Sequence, residues 1–520
     1  MRSALIDLSI QPDLREEGPL TREIVQGWSN PVIPGDHPDP SIIRVGQHFW
    51  AAATSSEWSP QFPLFRSADL VRWEPAGAVF AQQPRWAEGA FWAPELVNDR
   101  GRFFCYYVAR KRGGGLCVAV ASATSPGGPY ADHGPIVCDA LGSIDPCFAR
   151  DEHGAPYLIW KEDGNAANLP TPIWAQALAS DMQHLVGERT MLITNDAAWE
   201  DGVVEGPSII RHAHRFYMFY AGNTCCGQDC QYAEGAARAD HLLGPWEKYP
   251  GNPLVGANDK WRCPGHGTAV HGSQGQDYLL YHAYPAGSMI YTGREAVLDR
   301  IQWGADGWPV VNAGLGPSTA PVRERQEPHA EIRFADDFRS ERLNDSWQWP
   351  VNTHPAVTTG EGRLHLRVPN GRSSAMVAVP APGAPVYRAR VALQVPSAEQ
   401  RSSAAWIGLS IVGDPFNTAG LGLRGNTLEL WRRAGPRAEV LWQGELAPAA
   451  EWLWLEVRSS GPAQLHFALS TDGVLWSVAG PTVDAATLPA WDRGLRVGLM
   501  IEGPGSTAAC FRKFTMETVE

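Results

Sequence analysis

The chain has 520 residues, enough for two or three domains with ample cores. Charged residues are 19% and apolar residues 44%, a globular rather than a disordered composition. A formal net charge of −13 with no basic run excludes a phosphate-binding surface, so no nucleic-acid partner is expected.

Residues 1–29 read as an N-terminal extension, rich in acids and prolines and without an apolar core of signal-peptide length. No stretch approaches the roughly 20 apolar residues of a membrane span. The expectation is a soluble, cytoplasmic protein with no membrane partner; periplasmic or secreted placement would need a different native start. Oligomeric state is not legible.

From residue 30 to 311 one phrase recurs five times, at intervals of roughly 50 to 60 residues. A polar or titratable residue beside Gly or Pro leads into a short apolar strand. The copies are centred on Asp39, Glu95, Asp145, Glu205 and His266. Behind each lies a strand rich in aromatic and apolar residues, such as Arg102-Phe-Phe-Cys-Tyr-Tyr-Val108 and Arg215-Phe-Tyr-Met-Phe-Tyr220. A second recurring phrase, a turn with an aromatic or apolar anchor, closes each unit; Trp73, Tyr130 and Trp246 are examples. Five units of about four strands each describe an all-β, five-bladed β-propeller. Residues 312–333, rich in Pro, Gly and charge, read as a linker. Residues 334–520 resume strands without the phrase, for example Arg363-Leu-His-Leu-Arg-Val368 and Trp452-Leu-Trp-Leu-Glu-Val457. Their alternation predicts a β-sandwich of jelly-roll type, each sheet with one buried and one exposed face.

The nine cysteines are an odd number, which suits a reducing compartment better than a full disulfide framework. The cluster Cys225, Cys226 and Cys230 matches no common zinc spacing, so a structural role is expected, as thiols or a local disulfide. Gly420-Leu-Gly422-Leu-Arg-Gly425 fits a dinucleotide fingerprint by letter but precedes a strand rather than a helix, which rules that reading out.

A propeller's innermost strands line its central channel, so the five phrases would bring their titratable groups to one funnel. Asp-Pro and Glu-Gly-Pro are also ordinary turn chemistry. Three carboxylates in register, among 22 Trp able to offer flat faces to sugar rings, point instead to glycoside hydrolysis. One carboxyl protonates the leaving oxygen, another acts as base or nucleophile, and a third raises the acid's pKa by like-charge repulsion.

His37-Pro38-Asp39-Pro40-Ser41-Ile42, Trp92-Ala93-Pro94-Glu95-Leu96, Ser143-Ile144-Asp145-Pro146 and Val204-Glu205-Gly206-Pro207 occur in this order. With Arg294 through Trp308-Pro309, they closely resemble glycoside hydrolase family 43. The C-terminal half resembles the β-sandwich of its β-xylosidase and α-L-arabinofuranosidase members. The resemblance implies inversion, with Asp39 as general base, Glu205 as general acid and Asp145 orienting Glu205 and tuning its pKa. It implies that Arg294 bonds the sugar, that Trp92 forms the subsite's apolar wall, and that His266 holds a water or a structural calcium ion; no cofactor is required. Glu95 would support the site, and Trp58, Phe62 and Trp86 are candidates for the rim.

The expected activity is an exo-acting inverting glycosidase releasing terminal α-L-arabinofuranose or β-D-xylose from arabinan, arabinoxylan or xyloglucan oligosaccharides. The absence of an evident aromatic plug from the C-terminal domain leans this towards arabinofuranose. Endo-arabinanase activity, a non-catalytic carbohydrate-binding protein and a fructan-cleaving enzyme are the alternatives.

Overall fold

The computed structural model describes residues 28–288, 292–319, 331–384, 386–447, 450–461 and 463–519. The N-terminal extension to residue 27 and linker residues 320–330 lie outside these. Among the described residues no helix is long and apolar enough to cross a membrane.

Five four-stranded antiparallel sheets form the first domain. Their innermost strands are Ser41–Val45, Ala87–Asp99, Ser143–Arg150, Val204–His212 and Trp261–His271. Each packs against the next and the fifth returns to the first, which makes a closed ring of blades. The near-continuous apolar strands have a period-two explanation. In Arg102–Lys111 of blade two, Cys105, Tyr107 and Ala109 pack against blade one, while Phe104, Tyr106 and Val108 pack against blade three. A blade covered on both sides needs apolar residues on both faces. The ring is closed by the segment entering blade one, which straps across blade five. Asn30 Oδ1 accepts from Leu298 N at 2.9 Å, and Val32 N donates to Ala296 O at 2.9 Å.

Two sheets form the second domain, one of nine strands and one of six, and they enclose a single apolar core. The sandwich begins at Glu331, inside the segment read as linker. Gly420 and Gly422 lie in the strand Asn417–Arg424, which pairs with Thr427–Ala434, so the fingerprint-like letters are a β-hairpin. Only the larger sheet shows the expected one-sided alternation, as in Arg363–Arg367. The central strands of the six-stranded sheet are buried on both faces, its edge strand Arg437–Glu445 being exposed. Val377 and Leu499 point into the sandwich, while Met376, Met500, Trp406 and Trp431 form a second cluster against Trp58 of the propeller. The propeller covers the face that alternation alone assigned to water.

That packing corrects two rim assignments. Trp58 is 2% exposed at the seam between the domains, where Trp58–Ser59 pairs with Trp349–Pro350 of the second domain. Phe62 is fully buried among Phe80, Phe91 and Tyr107 in the core between blades one and two. Both are large aromatics on short strands, and burial claimed them. Trp86 packs at the margin of the same core.

Three disulfides, Cys117–Cys138, Cys225–Cys226 and Cys230–Cys263, use six of the nine cysteines. Cys105, Cys147 and Cys510 are buried thiols, so the odd count reflects core residues.

Candidate active site

The recurring phrase has a backbone basis. Asp39, Ala93, Asp145, Gly206 and His266 all take left-handed conformations, with φ of 53, 44, 55, 59 and 50°. The four that lie within innermost strands sit at breaks in strand register. Bulges re-aim side chains, and strained non-glycine residues gather at functional sites. The true equivalents in blades two and four are therefore Ala93 and Gly206. Glu95 falls two residues later and Glu205 one residue earlier. Gly206 is required where it stands, because a Cβ there would lie 2.8 Å from the His266 ring.

Asp39, Asp145 and Glu205 are 7, 6 and 8% exposed and meet at one mouth of the channel. His266 joins the first two, with its Nδ1 3.5 Å from Asp39 Oδ1 and 3.7 Å from Asp145 Oδ2. Asp145 Oδ2 accepts from the Gly206 N–H at 2.9 Å and so grips the backbone beside Glu205.

Each carboxyl has a distinct setting. Asp39 Oδ1 accepts from Arg294 Nη1 at 3.1 Å, and Oδ2 accepts from Thr54 Oγ1 at 2.7 Å. Burial opposes its ionisation, but the charges of Arg294 and His266 and the contact with His282 outweigh it, holding Asp39 far below the usual carboxylate range. His282 Nδ1 lies 3.1 Å from Asp39 Oδ1, and burial lowers its own pKa to about 4. Glu205 has both oxygens engaged, by Lys161 Nζ at 2.6 Å and by Tyr232 Oη at 2.8 Å. Burial raises its pKa, yet the Lys161 cation and the two hydrogen bonds bring it net down. Asp145 moves the other way, raised by burial and then by the Glu205 and Asp39 charges. The two neighbouring carboxyls are pushed apart, but against the expectation from sequence: Lys161 brings down Glu205, read there as the acid, and Asp145 is the one raised.

The second domain reaches into this site. Asp492 O accepts from Arg294 Nη2 at 3.0 Å, and Arg294 N donates to Asp36 Oδ1 at 3.2 Å. Trp491, 60% exposed, stands edge-on to Trp92 with ring centroids 6.0 Å apart. An aromatic side chain of the sandwich therefore stands against Trp92, the residue that the resemblance assigns to the subsite wall, where the sequence offered no evident aromatic from that domain. Trp491 sits in a Pro-Ala-Trp-Asp-Arg-Gly turn that carries no motif linking it to residue 92.

Glu95 joins the innermost strands rather than the carboxylate cluster. Its carboxyl accepts from Ser41 Oγ at 2.8 Å and from Phe148 N at 3.2 Å, and desolvation raises its pKa to about 7. Calcium takes six to eight oxygen ligands. Among the described residues no group of three or more His, Cys, Asp or Glu is arranged to hold a metal ion. The carboxylates nearest His266 are already committed to Arg294, Thr54 and the Gly206 N–H, so the donors present do not fit a protein-built calcium cage.

Lys161, Tyr232, His282, Thr54 and Asp492 were not singled out from sequence. Lys161 alone left a trace there, as a lone cation next to the end of the apolar strand Pro156–Glu162.

Residues 28–309, more than half of the chain, match the model for glycosyl hydrolases family 43. The protein belongs to that family. It is 29% identical over 325 residues to a xylosidase/arabinosidase of Butyrivibrio fibrisolvens, covering 60% of each chain. It is 28% identical over 382 residues to a xylan 1,3-beta-xylosidase of a Vibrio species, covering 65% of this chain and 69% of the other. The xylan beta-1,4-xylosidase structure from Bacillus halodurans superposes with a TM-score of 0.77 at 23% identity, over 94% of this chain and 100% of that one. That likeness extends the shared fold through the sandwich.

Proposed function

We propose that the protein is an exo-acting inverting glycosidase that removes a terminal pentose, α-L-arabinofuranose or β-D-xylose, from plant-derived oligosaccharides. The observation that carries this is the gathering of Asp39, Asp145 and Glu205 around His266, at a mouth flanked by Trp92 and by Trp491 of the second domain. Asp39, held ionised, acts as base and takes a proton from the attacking water. Glu205 acts as acid on the leaving oxygen. Asp145 fixes the backbone beside Glu205 through the Gly206 N–H and acts on it by charge. The Arg294 guanidinium, held by Asp39 and Asp492 O beside the base, is the group read as bonding the sugar. Relatives named for xylosidase and arabinofuranosidase activities support the pentose class. With Trp491 in place, the structural reason for preferring arabinofuranose falls away. The three disulfides favour an oxidising compartment.

Hydrolysis of nitrophenyl α-L-arabinofuranoside and β-D-xyloside, followed by proton NMR, tests the reading. The first-formed sugar is expected with inverted anomeric configuration. Retention, inactivity on both substrates, or long oligomers as the first products from linear arabinan would each overturn it.

Trp491 is expected to act through binding. An aromatic wall contact is worth about 0.5–1.5 kcal/mol beyond area burial. Trp491→Ala should therefore raise KM for a disaccharide up to roughly tenfold, with kcat little changed; an unaltered KM would place Trp491 outside the substrate's path.

A further inference from the structure

Lys161 is fully buried and belongs to no part of the reaction assigned so far. It is the next-to-last residue of the second strand of blade three and pairs across the sheet with Ile144, one residue from Asp145. Its ammonium donates to Glu205 Oε2 at 2.6 Å and to Asp163 Oδ1 at 3.0 Å. Burying a cation is costly unless it is paired. This chain places one on the carboxyl read as the acid, where a neutral hydrogen-bond donor would have cost less. A structural ion pair needs one partner; here the cation is shared between a buried carboxyl and Asp163, whose side chain is 19% exposed.

We propose that Lys161 is the positioning residue for the proton donor. Its ammonium holds Glu205 by Oε2, with Tyr232 on Oε1, and Asp163 holds the ammonium from the solvent side and moderates its pull. This rests on Glu205 being the acid.

The charged and titratable groups around the pair define the expected signs. Glu205 faces Lys161 on one side and Tyr232 on the other, with Asp145 and His266 within electrostatic reach. Lys161 feels Glu205, Asp163 and Asp145, and these keep it charged against desolvation. Asp39 lies across the mouth and acts on Asp145 and Tyr232. The acid works only while protonated, so its loss of a proton sets the alkaline limb of kcat/KM. Removing a cation from its side destabilises the carboxylate and moves that limb to higher pH. Removing the counter-anion Asp163 leaves Lys161 acting more strongly on Glu205 and moves the limb to lower pH.

The test is the pH profile of kcat/KM for Lys161→Met and Asp163→Asn, with melting curves to show that each is folded. Lys161→Met should move the alkaline limb up by roughly one to three pH units, the span for an opposite charge in contact. Asp163→Asn should move it down. A purely structural lysine would lower activity equally at every pH and leave both limbs in place, which overturns the proposal. Should Lys161→Met fail to fold, the Asp163→Asn limb decides alone. Glu205→Gln separates the two readings. If it retains full activity on substrates with poor leaving groups, the acid assignment itself fails. If it is inactive while neither neighbour moves the limb, only the role of Lys161 fails.

Discussion

Replacing Glu205 with Gln is expected to lower kcat by about 10²–10⁴ on an oligosaccharide, the usual contribution of a positioned acid or base. The amide keeps the size of the carboxyl and can still meet Lys161 and Tyr232, so the fold should survive. What disappears is the proton for the leaving oxygen. An aryl glycoside with a strongly acidic leaving group needs no such proton, and on it the loss should shrink to a small factor. Asp39→Asn should behave differently. Asp39 acts on water, so its loss should be of similar size whatever the leaving group. The two variants together separate acid from base. Equal losses for Glu205→Gln on both substrate types would sink the assignment. The pH profile should show the same division. Asp39 is held ionised far into the acid range, chiefly by Arg294 working against burial, so it should not set the acid limb. The alkaline limb belongs to the Asp145–Glu205 pair, because activity needs a proton there and is lost as pH rises through the pair's upper apparent pKa.

Asp36→Ala should be the most damaging change away from the carboxylates. Asp36 Oδ2 accepts from Arg496 Nη1 at 2.9 Å, with both side chains 2% exposed, and this pair joins the strap of blade five to the sandwich. Asp36 Oδ1 accepts from Arg294 N, so the same carboxylate also holds the arginine that bonds Asp39. Gly293 is fitted to it: with φ of +90°, a Cβ there would lie 2.2 Å from Asp36 Oδ1. Removing one partner of a buried pair costs about 3–5 kcal/mol because the other charge is stranded. The apparent Tm should fall by roughly 5–15 °C, and kcat/KM should fall with it as Arg294 loosens. Asp36→Leu combined with Arg496→Met should recover much of the stability, since no charge is left unpaired, but not the activity. A stable, fully active Asp36→Ala would show that the seam does not position Arg294.

The carboxylates were legible in sequence because blades one to four repeat the same backbone device, a left-handed residue followed by proline at Asp39-Pro40, Ala93-Pro94, Asp145-Pro146 and Gly206-Pro207, which leaves a signature. The register was read slightly wrong. Glu95 and Glu205 resemble Asp39 in letters, but the left-handed positions are Ala93 and Gly206. Glu95 was grouped with the others for that reason, and its carboxyl instead ties Ser41 to Phe148. Trp58 and Phe62 failed as rim residues because composition does not distinguish an aromatic that stacks on sugar from one that fills a seam.

The five-fold phrase, the apolar strands behind it and the change of pattern after residue 311 are local properties, set by turn chemistry and period-two burial. Sequence alone therefore determined the propeller, the sandwich and the three carboxylates. Tertiary structure decided what surrounds those carboxylates. Lys161 and His282 reach them from neighbouring strands and Tyr232 from the residue before one, and Trp491 and Asp492 arrive from nearly two hundred residues beyond Arg294. Such partners follow from the closure of the ring and the docking of a sheet whose central strands are buried on both faces. These are long-range packing events, and no short stretch of sequence encodes them.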